Sequence, residues 1–522
     1  MRKSGVSILV MVVVLTLGCG KEKEHSKADP SASPKAAVPV PEPVSNTTSP
    51  ASDQSKTTNE AEKTGKSDNG SKQTNESKPS ALKIELDKLR AKGEPVTFKE
   101  LDAWYKAVPP EKNAALAFQQ ITNSLPKNAA DLWVTMDKEK RRQKGPMPIL
   151  APALRSKVQA YLVAHQAYIN QLFTIAQRYP VNQPARFPID CTHGSRTLLP
   201  HLAEMNKATK VLMWRSKYFA TQKTPPVAQG QNPSDVGYQQ QAVSSILVLL
   251  RVCHLLDTEP LLISTLVQVG GARRGKDALE TLLNIRTLND SQLIFLHQAF
   301  ARFNWPRQIA NALVGEQAMY LGIEEIARTG TKAQVERISP EGFMGYPGLL
   351  ERPVLYRLRL RTETERDLEM TIYTRMMGNL IEGIRKGYPG AAALDDEDNQ
   401  FRSTWDRYTK LIESKQHYEA YFYTSKVTQS VSFLGRMHDA TVSQQFATAA
   451  LAIERYRLAN QWRIPRTLQE LIPHYLVAHP FDPYTGKPLT YVPNATGGYE
   501  LRAEKSKNTP LKFKVNPANR IR

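Results

Sequence analysis

The chain is poor in the features that most often name a function. It holds three cysteines in 522 residues, too few for a disulfide framework to organise a fold of this length. Its leading apolar run, Val6 to Leu17, spans about a dozen residues, short of the ~20 that an ordinary membrane-crossing helix needs. A phosphate loop is also lacking. Gly270-Gly271-Ala272-Arg273-Arg274-Gly275-Lys276 follows a helical pattern instead of a strand and has no four-residue gap before Gly-Lys-Ser/Thr. No motif names a reaction, so the catalytic residues stay unassigned and no cofactor or metal site is expected.

What is present starts at the N-terminus. Arg2 and Lys3 followed by the short apolar run form the pattern of a secretory signal. Its end, Leu15-Thr16-Leu17-Gly18-Cys19, resembles the lipobox of bacterial lipoproteins, in which a small residue precedes the cysteine that is lipidated and becomes the mature N-terminus. The commonest form has leucine three places before the cysteine; here Thr16 stands there and Leu15 lies one place earlier. The resemblance implies a signal peptide over 1–18, lipidation at Cys19, an extracytoplasmic location and attachment to the membrane through more than one acyl chain. Gly20, in place of an acidic residue, implies the outer membrane where a cell has two.

Residues 21–78 are rich in Lys, Glu, Ser, Thr, Asn and Pro and hold almost no large apolar side chain. Such a segment buries too little surface to offset the entropy of ordering, so 19–80 reads as a disordered linker with a reach on the order of 45 Å. Its nine lysines balance nine acidic residues. Of the net +20, therefore, +18 falls on residues 79–522 once Arg2 and Lys3 are set aside.

The body then reads as mainly α: a multi-helix antiparallel bundle or irregular helical array, with a small α/β module at the C-terminus. Residues 81–440 form the expected helical domain and 441–522 the C-terminal module and tail. The spacing predicts a first helix from Leu82 to Leu89, ended by Gly93, and a capping box at Thr97-Phe98-Lys99-Glu100. Further helices are expected over 111–125 and, as one long element, over 153–179. From Leu198 and Leu199 through Leu202, Met205, Thr209, Leu212 and Met213 the apolar residues share one helical face. Other helices are expected over 236–256, from Pro260 to a stop at Gly270-Gly271, over 277–285, over 290–303 with a cap in Leu288-Asn289-Asp290-Ser291, and over 306–327. Asp257 and Thr258 are candidate caps ahead of Pro260. Helix is favoured over 355–384 and 401–425, with an acidic loop between. After a helix over 443–461, a second capping box at Thr467 to Glu470 and two short apolar runs, 489–492 and 499–501, suit a small antiparallel hairpin.

In that C-terminal region, Leu451-Ala452-Ile453-Glu454-Arg455-Tyr456-Arg457, Pro465, Thr467-Leu468-Gln469-Glu470-Leu471, the run Asp482-Pro483-Tyr484-Thr485-Gly486-Lys487-Pro488-Leu489-Thr490-Tyr491 and Gly498-Tyr499-Glu500-Leu501 resemble the globular end of type II secretion major pseudopilins. That resemblance covers roughly 60 residues and implies a helix, a proline-marked loop and a small sheet. The calcium loop of some pseudopilins does not carry over, because residues 502–510 offer Glu504 as the one acidic side chain among lysines. The body as a whole, from Asn113-Ala114-Ala115 through Leu199-Pro200-His201-Leu202 and Glu259-Pro260-Leu261-Leu262-Ile263, resembles a family of uncharacterised bacterial secreted or membrane-associated proteins, with which no activity comes.

Candidate chemistry is sparse. His201 and Glu204 lie one helical turn apart, a spacing that serves acid–base chemistry. Cys191-Thr192-His193 offers a thiol beside an imidazole. Cys191 and Cys253 either pair as a disulfide or remain buried thiols, since Cys19 is spent in the leader. Asp395-Asp396-Glu397-Asp398 reads as a solvated acidic loop. The basic runs 138–144 and 357–361 would meet anionic lipid headgroups, lipopolysaccharide or acidic wall polymers. Export argues against a nucleic-acid partner. Envelope proteins, anionic envelope polymers and the membrane itself are the expected partners. Three roles follow: an interaction or scaffold module of the envelope, an extracytoplasmic hydrolase using His201 and Glu204, and a pseudopilin-like subunit of a secretion system.

Overall fold

Helices begin here where a short polar side chain takes up a backbone N–H that has no partner in the first turn. A computed structural model of the chain describes residues 79–122, 152–180, 182–222, 235–331, 334, 362–387, 434–504, 511–517 and 520. Ser80 accepts from the Lys83 N–H and opens helix α1 (Ala81–Ala91), which buries Leu82 and Leu89 and is followed by Gly93 at positive φ. Thr97 accepts from the Glu100 N–H to open α2 (Phe98–Trp104), while the Glu100 carboxylate takes the Val96 N–H. Asn113 receives the Ala115 N–H at the head of α3 (Ala114–Thr122) and also pairs with both backbone groups of Arg186, tying two distant loops together.

The expected helix over 153–179 is two helices, α4 (Pro152–Ala164) and α5 (Gln166–Arg178). The break falls at His165, whose ring nitrogen Nδ1 lies 2.7 Å from the Tyr161 carbonyl and whose ring stacks on Tyr161. Helix α6 (Pro200–Ala220) starts at its proline, so Leu198 and Leu199 precede it and Leu198 is exposed, against the expectation that both belong to the apolar face. From Leu202 onward that face is as expected: Leu202, Met205, Thr209, Leu212 and Met213 are all buried.

The largest departure concerns the next two elements. Helix α7 (Asp235–His254) matches its pattern, but α8 (Leu262–Ile285) runs straight through Gly270-Gly271, where a stop was expected. The reason is packing. A Cβ placed on Gly271 would overlap the Cys253 sulfur of α7 and stand 3.2 Å from Thr209 Cγ2 of α6, so Gly271 lets three helices meet at one point. Its neighbour Arg274 clamps the seam from the side, with Nη1 3.1 Å from Thr209 Oγ1 and Nη2 2.5 Å from Asn206 Oδ1. Close packing of α6, α7 and α8 more than offsets the roughly 1 kcal/mol that each glycine costs a helix. The expected caps Asp257 and Thr258 do not cap α8 either. Leu261 occupies that position without a side-chain bond, while the Thr258 hydroxyl donates to the Ala185 carbonyl.

Around this centre lie α9 (Asp290–Ala301), opened by an Asn289–Gln292 capping box, and α10 (Trp305–Thr329), whose Asn304 accepts from the Arg307 N–H. Helix α11 (Glu363–Arg385) packs on α10 and on α1. Arg375 bonds Glu85 at 2.9 Å, Arg385 bonds Glu94 at 2.7 Å and Lys92 bonds Glu382 at 3.0 Å, so α1 and the turn after it are fastened to α11 by ion pairs. Helix α12 (Leu434–Ala459) packs on α9 and α8.

The chain ends in a three-stranded antiparallel sheet in the order β1 (Thr490–Pro493), β2 (Tyr499–Ala503), β3 (Leu511–Val515), where a two-stranded hairpin was expected. The added strand alternates: Phe513 and Val515 are buried, Lys512 and Lys514 exposed. Its outer edge is covered by α8. The Lys514 N–H donates to Glu280, Asn284 donates to the Lys514 carbonyl, and the Asn516 N–H returns to Asn284, all within 2.7–2.9 Å. Arg520 adds bonds to the Leu283 carbonyl and to Glu454 of α12. Side chains of a helix thus satisfy what would be an unpaired strand edge.

The seam makes a direct claim. Gly271→Ala should lower stability by about 1–3 kcal/mol, the cost of overpacking a filled core. Adding Cys253→Ala in the same chain should recover part of that loss. A double-mutant cycle by urea denaturation checks this, and simple additivity would show that the two positions do not touch.

Candidate functional site

The sequence singled out His201 and Glu204, and the structure separates them. His201 is the second residue of α6 and points inward, with Nε2 3.0 Å from both carboxylate oxygens of Glu259 and its ring stacked on Phe187 at 4.0 Å between centroids. Both side chains are buried, His201 at 3 % and Glu259 at 0 % exposure. The Ser264 hydroxyl donates to the same carboxylate from the first turn of α8. Glu259 is held in place by the helix behind it: a Cβ on Gly315 of α10 would overlap the Pro260 carbonyl, so α10 lies directly on the Glu259–Pro260 segment. Glu204 lies elsewhere, 2.7 Å from Lys207 one turn along α6. Acid–base chemistry between His201 and Glu204 is therefore not built. The imidazole is engaged in the interior by a carboxylate 58 positions away.

The Cys191-Thr192-His193 candidate is also taken apart. Cys191 is fully buried, and burial, then the neighbouring carboxylates Asp102 and Glu259, push its thiol up to about 12. His193 is exposed and its Nδ1 sits 3.1 Å from Asp190, so it does not serve the thiol. Burial likewise pushes Cys253, against Gly271 in the seam, up to about 12. Both thiols are free, which leaves the disulfide alternative unmade. Lys276, the end of the phosphate-loop look-alike, sits within α8 and pairs with Asp277 at 2.8 Å and Glu280 at 3.4 Å. Cys19, the linker, the basic runs 138–144 and 357–361 and the acidic run 395–398 lie outside the described residues.

Two features were not anticipated from sequence. Asp257, just beyond α7, collects His254 Nδ1 at 3.0 Å, Gln268 at 2.5 Å and Gln308 at 2.8 Å, joining α7, α8 and α10. His254 stacks on Phe303, which stacks on Trp305. The nitrogen that faces away from Asp257, Nε2, is buried and has no hydrogen-bond partner. The only early sign was the three-residue step from His254 to Asp257; the two glutamines come from elements that periodicity cannot bring together.

The second is a groove. Helix α7 is its floor and α5 and α9 flank it, enclosing a cavity of about 410 Å³. Arg251 and Arg302 both line it, as does His254, and no acidic side chain does so among the described residues. Burial, and then the Arg302 guanidinium, hold Arg251 below the usual arginine range. A smaller hollow of about 30 Å³ lies on the other side of Arg251 and His254, beside Phe118 and Tyr179.

Among the described residues no group of three or more His, Cys, Asp or Glu could hold a metal ion, and no helix is long and apolar enough to cross a membrane. Comparisons with protein-family models, with curated proteins and with solved structures gave no match.

Two outcomes test the interior. Glu259→Ala would strand the Ser264 hydroxyl and the His201 nitrogen in a dry core and should cost about 3–5 kcal/mol in urea denaturation. Glu259→Gln, which keeps the shape, should cost less. The thiols give a pH test. Their folded values near 12 exceed the ordinary 9, so the unfolded chain ionises first as pH rises. Their stabilising contribution is whole below pH 9 and is lost between pH 9 and 12. At pH 8, iodoacetamide should leave Cys191 and Cys253 of the native chain unlabelled and modify them only as it unfolds; prompt labelling of either without unfolding would show an open thiol.

Proposed function

We propose that this chain is a lipid-anchored extracytoplasmic protein whose helical body acts as an interaction or scaffold module of the cell envelope. The leader, the lipobox-like end at Cys19 and the uncharged-on-balance linker support tethering at a distance from the bilayer. Gly20 supports the outer membrane where there are two. The observation that carries the binding role is the contrast between interior and surface. His201 is engaged by Glu259 in the core and Glu204 is held apart by Lys207, whereas the groove over α7 is lined by two arginines and by apolar side chains.

That contrast favours a binding module over a hydrolase built on His201 and Glu204. A pseudopilin-like role is the weaker alternative as well. It needs a C-terminal module free for assembly, and here the sheet edge is bonded to α8 through Glu280 and Asn284. The +18 charge on the body supports anionic envelope polymers or headgroups as neighbours.

Fractionation tests the tether. The wild-type chain should sediment with membranes and take up a clickable fatty-acid label, and Cys19→Ala should be unlabelled and leave the membrane fraction. A Cys19→Ala chain that stays membrane-bound would refute anchoring through that sulfur. Crosslinking and pull-down from native membranes, comparing the two chains, would then identify what the body meets.

A further inference from the structure

The outward face of α7 gathers chemistry that the rest of the body does not use. Leu247 and Arg251 stand one helical turn apart on the groove floor, and Phe295, Ala299 and Arg302 follow at steps of four and three residues from α9. Phe173 faces them from α5. Phe295 is 58 % exposed, unusual for so large an apolar side chain. The apolar part of the groove thus continues into its charged end.

That end is incompletely satisfied. Among the described residues Arg251 makes no side-chain hydrogen bond or ion pair, and it shares the cavity with a second guanidinium, Arg302. His254, 8 % exposed, lines the same cavity. Guanidiniums present paired N–H donors that match a planar anion. The volume of about 410 Å³ falls within the range of small-molecule sites.

We propose that the groove between α5, α7 and α9 binds a single-chain anionic amphiphile, its apolar chain along Phe173, Leu247 and Phe295 and its acidic head between Arg251 and Arg302. Charge complementarity selects this occupant over an uncharged lipid: two cations and no acidic side chain line the site among the described residues. Carboxylates and phosphate esters share the required head, at least one negative charge with two or more acceptor oxygens. The inference rests on reading the body as a binding module and gives that module a ligand class.

Titration calorimetry on the full-length Cys19→Ala chain, with decanoate, decyl phosphate and decanol as probes, tests it. At least one anionic probe should bind, and decanol should bind at least about tenfold more weakly. The stronger of the two anions identifies the head group. Arg251→Gln with Arg302→Gln should weaken the anion by at least about tenfold and leave decanol unchanged. Arg302→Gln alone, at an exposed position, should show part of the loss, and its melting temperature, read alongside, separates lost binding from lost fold. No anionic binding up to about 1 mM, equal binding of decanol, or arginine variants that bind like the parent would each overturn the proposal. Tethering can fail without touching this result, because the tested chain lacks the anchoring sulfur.

Discussion

The close approach of α6, α7 and α8 at Gly271 is the constraint from which the other arrangements follow. A side chain there would strike the Cys253 sulfur and crowd Thr209, so the three axes can converge only because the position is bare. With α7 pressed down onto its two partners, its inner face, including Ala242, Ile246, Leu249 and Leu250, is fully buried. Full burial is worth about 1.5–3 kcal/mol for each large aliphatic side chain. Among the described residues, the opposite face floors a groove.

The same convergence sets the polar chemistry. Bringing the ends of α6 and α8 together puts His201 and Ser264 on one carboxylate, Glu259, and the bare surface of Gly315 lets α10 close over that segment. Beside it, Asp257 gathers His254, Gln268 and Gln308. Each is a solution to one problem: helix ends buried in a large core leave polar groups that water cannot reach, and side chains must satisfy them. The C-terminal sheet is fixed in the same way, with Glu280 and Asn284 of α8 standing in for a missing fourth strand and Arg520 locking onto Glu454. Reactive residue types abound in the interior, yet they are spent on structure, whereas Arg251, Arg302 and Phe295 line the groove over α7.

Helical character and several caps were legible because they are local: the 3.6-residue period of α6, α7 and α10 and the caps at Thr97 and Asn289 depend on residues within one or two turns. The stop expected at Gly270-Gly271 fails for the opposite reason. A glycine pair is a breaker by propensity, but here its lack of side chains serves a contact with residues 18 and more positions away, and tertiary packing prevails over local preference. β3 was missed because its lysines alternate with just two buried residues, Phe513 and Val515, a signal too short to stand out before β2 is placed. His201 was rightly singled out as unusual. Its partner, however, lies 58 residues on, and no spacing rule reaches that far. The groove was illegible altogether, since Arg251 and Arg302 come from different helices and become neighbours only after the seam has formed.

Amide hydrogen exchange by mass spectrometry is the measurement closest to the central claim. If the Gly271 seam organises the body, amides of α6, α7 and α8 around Thr209, Cys253 and Gly271 should exchange only with global unfolding. Those of α1 and α11, joined by partly exposed ion pairs, should open earlier. Exchange in α7 as fast as in α1 would contradict the account.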